Sequence, residues 1–104
     1  MTVQRCKLSV AFPPDLEDDI LESLFEMTDD VGGFSVVTAD GHGHGFERAS
    51  VRERVRGRVA RRILYLVLEA DRVPRVLDGL RATVRSPEVA YWIEPVSEFG
   101  RLAP

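Results

Sequence analysis

Two histidines separated by one glycine stand near the middle of the chain, in the stretch GHGHG at residues 41–45. In an extended segment, side chains two residues apart project to the same side, so His42 and His44 can converge on one Zn²⁺, Cu²⁺ or Ni²⁺ ion. Asp40 offers a carboxylate just before them. A structural zinc site needs four ligands, so the remaining ligands would come from a second subunit or a partner. The alternative is that both histidines only decorate a loop.

A run of arginines follows the histidines. Each guanidinium is a planar fork of donors suited to phosphate or carboxylate. The arginines are Arg52, Arg54, Arg56, Arg58, Arg61 and Arg62. Three interpretations remain open: a solvated face paired with acids, a small-anion site at a subunit cleft, and nucleic-acid binding. The last is least favoured, and we expect no nucleic-acid partner, because the net charge is −3 and no aromatic residue is interleaved with the arginines.

Catalytic arrangements are scarce in this sequence. Both histidines lie in one glycine-rich stretch, and the single cysteine, Cys6, alternates with the apolar residues of a strand pattern, which predicts that it lies in the core. We therefore predict no catalytic centre. A small isomerase or lyase that uses one histidine remains an alternative.

The composition is that of an ordinary folded domain, with 44% hydrophobic and 30% charged residues in 104. One domain over residues 1–104 is expected. A single cysteine excludes an intramolecular disulfide, and the longest mainly apolar run, 63–68, is too short to span a membrane. The sequence thus predicts a cytoplasmic protein with no direct membrane insertion.

The strands and helices that must position these side chains can be predicted from the spacing of the apolar residues. Four stretches are typical of strands: CKLSVAF, FSVVTA, RRILYLVLE and VAYWIEPV. Helical spacing of apolar residues occurs in PPDLEDDILESLFEM and in the stretch after Asp71. Asp71 is the expected cap of the second helix. The order β-α-β-β-α-β predicts an α+β ferredoxin-like sandwich, in which two helices cover one face of a four-stranded antiparallel sheet.

The third strand is apolar on both sides. Ile63, Tyr65 and Val67 alternate with leucines at 64, 66 and 68, and the last strand is similar. A sheet face that contacts water should be polar, so we expect the face opposite the helices to pack against other subunits.

About nineteen residues, 40–58, separate the second and third strands, where a hairpin usually needs two to five. Such length is typical of a functional or disordered segment. The histidines and most of the arginines lie in this insert.

Four stretches carry a resemblance to a known family: FPPDLEDDILESL, GFSVVTADGHG, SVRERVRGRVARR and YWIEPV. With the element order, they resemble the PII-like superfamily of trimeric signalling proteins, and most of all an uncharacterised bacterial PII-like family often found with heavy-metal efflux systems. The resemblance implies a homotrimer with inward-facing sheets and makes the insert the counterpart of the PII T-loop, which docks partners and senses effectors.

The chain also departs from the PII pattern. PII proteins that bind ATP have a glycine-rich turn and a lysine between the second helix and the last strand, where this chain has RATVRSPEVAYW, without either. The sequence therefore argues against inherited ATP binding. Arg101 lies near the position of a PII phosphate-contacting arginine, and no tyrosine in the insert matches the one used for covalent modification.

The resulting hypothesis is a trimeric PII-like regulatory protein, with a role in heavy-metal resistance, that responds to a transition metal at His42, His44 and Asp40. An efflux or regulatory component could dock on its insert. The runner-up is a sensor of a small anion or nucleotide at Arg56, Arg58 and Arg101.

Overall fold

The computed structural model describes residues 3–42 and 59–104. Short 3₁₀ turns, Pro14–Leu16 and Ala70–Arg72, precede the two helices. In chain order the regular elements are β1 (Arg5–Phe12), α1 (Glu17–Glu26), β2 (Ser35–Gly41), β3 (Val59–Glu69), α2 (Val73–Thr83) and β4 (Ala90–Val96).

The four strands form one antiparallel sheet in the order β2-β3-β1-β4. Both helices pack on the same face, where they bury every second residue of the two central strands. The ferredoxin-like α+β fold predicted from the element order is confirmed.

The core lies between the helices and the sheet. Leu8 and Phe12 of β1 are fully buried, as is Leu64 of β3, and Ile20 and Leu24 of α1 cover them. Full burial of one such side chain stabilises the fold by about 1.5–3 kcal/mol. The period-two strands and the period-3.6 helices therefore place their apolar faces as predicted.

The start of α2 differs from the sequence-based expectation. Arg72, not Asp71, precedes the helix, and no side chain caps it. Asp71 lies within the 3₁₀ turn, whose Ala70 carbonyl accepts a hydrogen bond from the Val73 N–H. The predicted cap is wrong because the turn continues directly into the helix and its own carbonyls take the first donors.

The other face of the sheet carries a mixed, largely apolar surface, which we call the bare face. One row across it places Trp92 opposite Ser9 and Tyr65 beyond. The next row brings together Ala90, Ala11, Ile63 and Val37. Trp92 and Val37 are 42% and 41% exposed, whereas Ser9 is only 1% exposed beneath its neighbours.

The strands reach further into the central insert than the sequence predicted. Asp40 and Gly41 belong to β2, and Gly41 pairs with Val59 at the start of β3. This pair fixes the two ends of the insert beside each other.

Among the described helices, none is long and apolar enough to cross a membrane.

Candidate functional site

The end of β2 positions two of the three predicted metal ligands. Asp40 is the next-to-last residue of β2, and His42 is the first residue after the strand. Both side chains are exposed. The third, His44, lies outside the described residues. Residues 3–42 and 59–104 hold no group of three or more His, Cys, Asp or Glu side chains that could bind a metal ion. The described part of the chain thus supplies Asp40 and His42, and a complete site needs ligands from beyond it.

Gly41, between these two residues, allows a close approach from β3. A Cβ atom there would lie 2.8 Å from Cγ of Arg61 and 3.2 Å from Cγ2 of Val59. The aliphatic stem of Arg61 therefore packs directly on the Gly41 backbone, and a side chain at position 41 would displace it.

Arg61 connects this end of the sheet to the segment between α2 and β4. Its Nη1 donates a hydrogen bond to the backbone carbonyl of Glu88 over 3.1 Å. Arg61, near the start of β3, thus contacts both Gly41 and the α2–β4 connection.

Arg62 has a different set of partners. Its Nη1 donates to the Thr38 hydroxyl, and its Nε lies 3.1 Å from a carboxylate oxygen of Glu17. The Nε–H is not aligned for a hydrogen bond, so the contact with Glu17 is an ion pair only. Because both side chains are partly exposed, such a pair contributes about 0–1 kcal/mol. For Arg62 the structure agrees with the interpretation of arginines paired with neighbouring acids.

The predicted anion-binding set is represented here by one member. Arg101 is exposed in the segment after β4. Arg56 and Arg58 lie outside the described residues.

The α2–β4 connection uses some of its own backbone donors. The Glu88 N–H donates to the Ser86 hydroxyl over 3.2 Å, and the Val89 N–H donates to the Ser86 carbonyl over 3.1 Å. Pro87 has no N–H to offer. These two amides are therefore already engaged within the turn.

Cys6 is buried, as its alternation pattern predicted. Burial raises the pKa of the thiol above its ordinary value, so the thiol stays protonated at neutral pH. A protonated, buried thiol is a poor nucleophile and a poor metal ligand.

Two arginines that the sequence analysis overlooked stand beside the same connection. Arg81 lies in the last turn of α2 and Arg85 follows the end of the helix by two residues, and both line a cavity that contains Tyr91. Both arginines were visible in the sequence, but nothing there shows that a cavity opens beneath them.

The family model described as "Protein of unknown function (DUF3240)" matches residues 2–103. The chain belongs to the DUF3240 family. A search of curated proteins found no match to this DUF3240 protein.

Two solved structures resemble this DUF3240 protein along nearly all of its length. A DUF3240 family protein from Shewanella baltica is 21% identical with a TM-score of 0.78, and the alignment covers 99% of this chain and 100% of that one. Arabidopsis thaliana PII bound to citrate is 17% identical with a TM-score of 0.72, with 96% of this chain and 84% of that one covered. The shared architecture is therefore PII-like, as the resemblance implied. The association with heavy-metal efflux stays a prediction.

Proposed function

We propose that this DUF3240 protein is a PII-like regulatory protein that works as a homotrimer and binds a transition metal or docks a partner through residues 40–58. The observation that carries the proposal is the uncovered, largely apolar bare face in a chain with a PII-like fold. The proposed binding segment for the metal or the partner is the insert, and the same sheet holds the two ends of the insert together.

The bare face has the composition of a surface that another protein covers. Small residues, Ser9 and Ala11, lie along β1, and the larger side chains of the neighbouring strands cover Ser9. Large side chains surround them, with Tyr65 beside Ser9 and the Lys7 ammonium 4.9 Å above the tyrosine ring centre. Exposed apolar patches with polar neighbours of this kind are typical of subunit interfaces.

The insert is well placed to transmit a binding event. Its ends meet at the pair formed by Gly41 and Val59, and Arg61 links this pair to Glu88. A metal held by His42, His44 and Asp40 would fix the insert relative to β2 and change which of its arginines face a partner.

Calorimetric titration with Zn²⁺, Cu²⁺ and Ni²⁺ tests the metal hypothesis. In chelator-treated protein we expect saturable binding of at least one of them, and His42→Ala/His44→Ala should weaken it at least about tenfold, since a two-imidazole chelate is lost. Binding should also weaken below about pH 6–6.5, because protonated imidazole does not bind metal.

Asp78→Asn is the matched control for Asp40→Asn in this titration. Asp78 is an exposed aspartate on α2, remote in sequence from the insert. Asp40→Asn should reduce the affinity and Asp78→Asn should not. Unchanged affinity in the double histidine variant would refute metal binding at the insert and leave partner docking as the proposed role.

The second candidate is a small-anion sensor at a subunit cleft lined by Arg56, Arg58 and Arg101. The PII protein of Arabidopsis was solved with citrate, a small polyanion, which supports the idea only by analogy of fold. ATP is not the expected anion, because the α2–β4 connection has no glycine or lysine and uses two of its amides internally.

A thermal-shift panel separates the two candidates. Citrate and nucleotides should raise the melting temperature in the presence of a metal chelator only if the anion hypothesis is correct. An isomerase or lyase would need a pocket around His42, and His42 lines neither of the two cavities beside α2.

A further inference from the structure

A cavity of about 340 Å³ opens between α2, the first turns of α1 and the edge strand β4. Its floor consists of the core residues Val10, Ile20 and Leu80, and its sides include Val84 and Val89 from the α2–β4 connection. Its volume is within the range of pockets that bind small organic molecules.

The cavity exists because α2 ends before it covers β4. The helix stops at Thr83, and Val84 already has extended backbone angles, φ −128° and ψ 114°. On the helix side of β4, Tyr91 and Ile93 consequently stay 47% exposed. The uncovered strip of β4 forms one wall of the opening.

The mouth of the cavity is positively charged. The Arg81 guanidinium lies 5.6 Å from the centre of the Tyr91 ring and donates to the Tyr91 hydroxyl over 3.2 Å. Asp78 lies 3.6 Å from Arg81, and in the described part of the chain no carboxylate forms an ion pair with Arg85. Two guanidinium groups thus face one carboxylate.

The helix terminus does not cancel this charge. The last carbonyls of a helix carry partial negative charge, which disfavours an anion. Here the Arg85 Nε donates to the Arg81 carbonyl over 3.4 Å, so one of those carbonyls is already paired with a cation. The end amino groups of Arg85 remain beyond that contact to meet a ligand.

We infer that this cavity binds an apolar carboxylate, a small molecule with a hydrocarbon body and one terminal carboxylate. The body displaces water from Val10, Ile20 and Leu80, and the carboxylate accepts hydrogen bonds from Arg81 and Arg85. A purely polar anion would leave the apolar floor in contact with water, and a neutral hydrocarbon would leave the two guanidinium groups with Asp78 as their single carboxylate partner among the described residues. The combination of floor and mouth fits a ligand with both parts.

The body can be longer than the cavity itself. Leu77 and Arg81 also line a second hollow of about 510 Å³, which continues along α2 to Pro95. Both hollows open on the helix side of the sheet, opposite the bare face, so the proposed trimer interface leaves them accessible. The described lining residues of both hollows all lie outside the insert.

Titration of the whole protein with octanoate, octanol and butyrate, followed by heteronuclear NMR and calorimetry, tests the inference. Octanoate should bind saturably, with the largest shifts at Val84, Val89 and Tyr91. Octanol and butyrate should each bind roughly tenfold more weakly, because one lacks the charge and the other lacks the body.

Arg85→Gln should lower the affinity for octanoate roughly tenfold and leave octanol unchanged, since it removes one charge-assisted contact. Arg75→Gln is the matched control: it also removes one positive charge, but Arg75 lies on α2 and does not line the cavity. Val89→Phe, which narrows the cavity, should weaken octanoate and octanol together, with a thermal melt confirming that the variant is folded.

Three results would overturn the inference. One is the absence of saturable octanoate binding. Another is equal affinity for octanol and octanoate, which would indicate an apolar hollow without carboxylate recognition. The third is an equal loss in Arg75→Gln and Arg85→Gln, which would indicate a response to overall charge only.

Discussion

At the scale of single residues, the best-defined electrostatic contact joins the segment after α1 to α2. Both Nε and Nη2 of Arg75 donate to one carboxylate oxygen of Asp30, over 3.0 and 2.9 Å. These hydrogen bonds, assisted by the charges of Arg75 and Arg72, hold the pKa of Asp30 below its ordinary value of 3.8, although partial desolvation opposes them.

The stability that Asp30 contributes should therefore depend on pH. Because its pKa is lower in the folded state, the contribution is complete above the unfolded-state pKa and is lost as pH falls through the folded-state pKa. We expect Asp30→Asn to melt below the wild type between pH 5 and 7 and to approach it near pH 2–3. Melting curves of both proteins across this range measure the gap, and a gap that does not change with pH would contradict the assignment.

Sequence reasoning reached some residues and not others for physical reasons. The burial of Cys6 follows from alternation within one strand, so a local pattern sufficed. The contact between Arg61 and Glu88 joins residues 27 positions apart and depends on sheet register, which no local pattern encodes. His44, Arg56 and Arg58 stay predictions because they lie outside the described residues.

At the scale of elements, the two helices approach each other closely at Gly79. A Cβ there would lie 2.4 Å from the sulfur of Met27, and the buried Ser23 hydroxyl of α1 donates to the Gly79 carbonyl over 3.2 Å. The absent side chain at position 79 lets α1 and α2 share this contact.

Gly79→Leu should therefore be destabilising. The added side chain must displace Met27 and separate the helices, which costs about 1–3 kcal/mol even though leucine favours a helix more than glycine does. Ala82→Leu, at an exposed position of the same helix, is the control and should change the free energy of unfolding by less than about 0.5 kcal/mol. Urea denaturation measures both, and equal effects would show that the helices do not need a glycine at this contact.

Element types and order were predictable because strands and helices impose different apolar periods. The details at their ends were not. Aspartate is a residue type that often caps helices, but Asp71 lies in a 3₁₀ turn, one residue before the cap position of α2. Such a turn depends on backbone hydrogen bonds. The cavity beside β4 depends on where α2 ends relative to a strand that begins seven residues later.

At the scale of the whole molecule, the sequence already indicated what the structure shows at the bare face. Leu64, Leu66 and Leu68 are buried under the helices, whereas Ile63, Tyr65 and Val67 face the other side and are half-buried. In a strand that is apolar on both sides, one side packs against the helices of the same subunit. The other side remains for another subunit to cover. The fold was thus predictable from one chain, and the proposed assembly from the excess of apolar side chains.

Trp92→Glu tests whether the bare face forms the interface of this assembly. A carboxylate buried in an interface must lose its hydration, so the variant should dissociate towards monomers. Phe25→Glu is the control, because Phe25 is equally aromatic and 64% exposed but belongs to α1 on the helix side. It should leave the assembly intact.

Sedimentation of the wild-type protein at micromolar concentration tests the central claim most directly. The account predicts a single species with three times the chain mass of 11.7 kDa, converted towards monomers by Trp92→Glu and not by Phe25→Glu. A wild-type protein that sediments only as a monomer would contradict the account, because the bare face would then be a solvent-exposed surface and not an interface between copies.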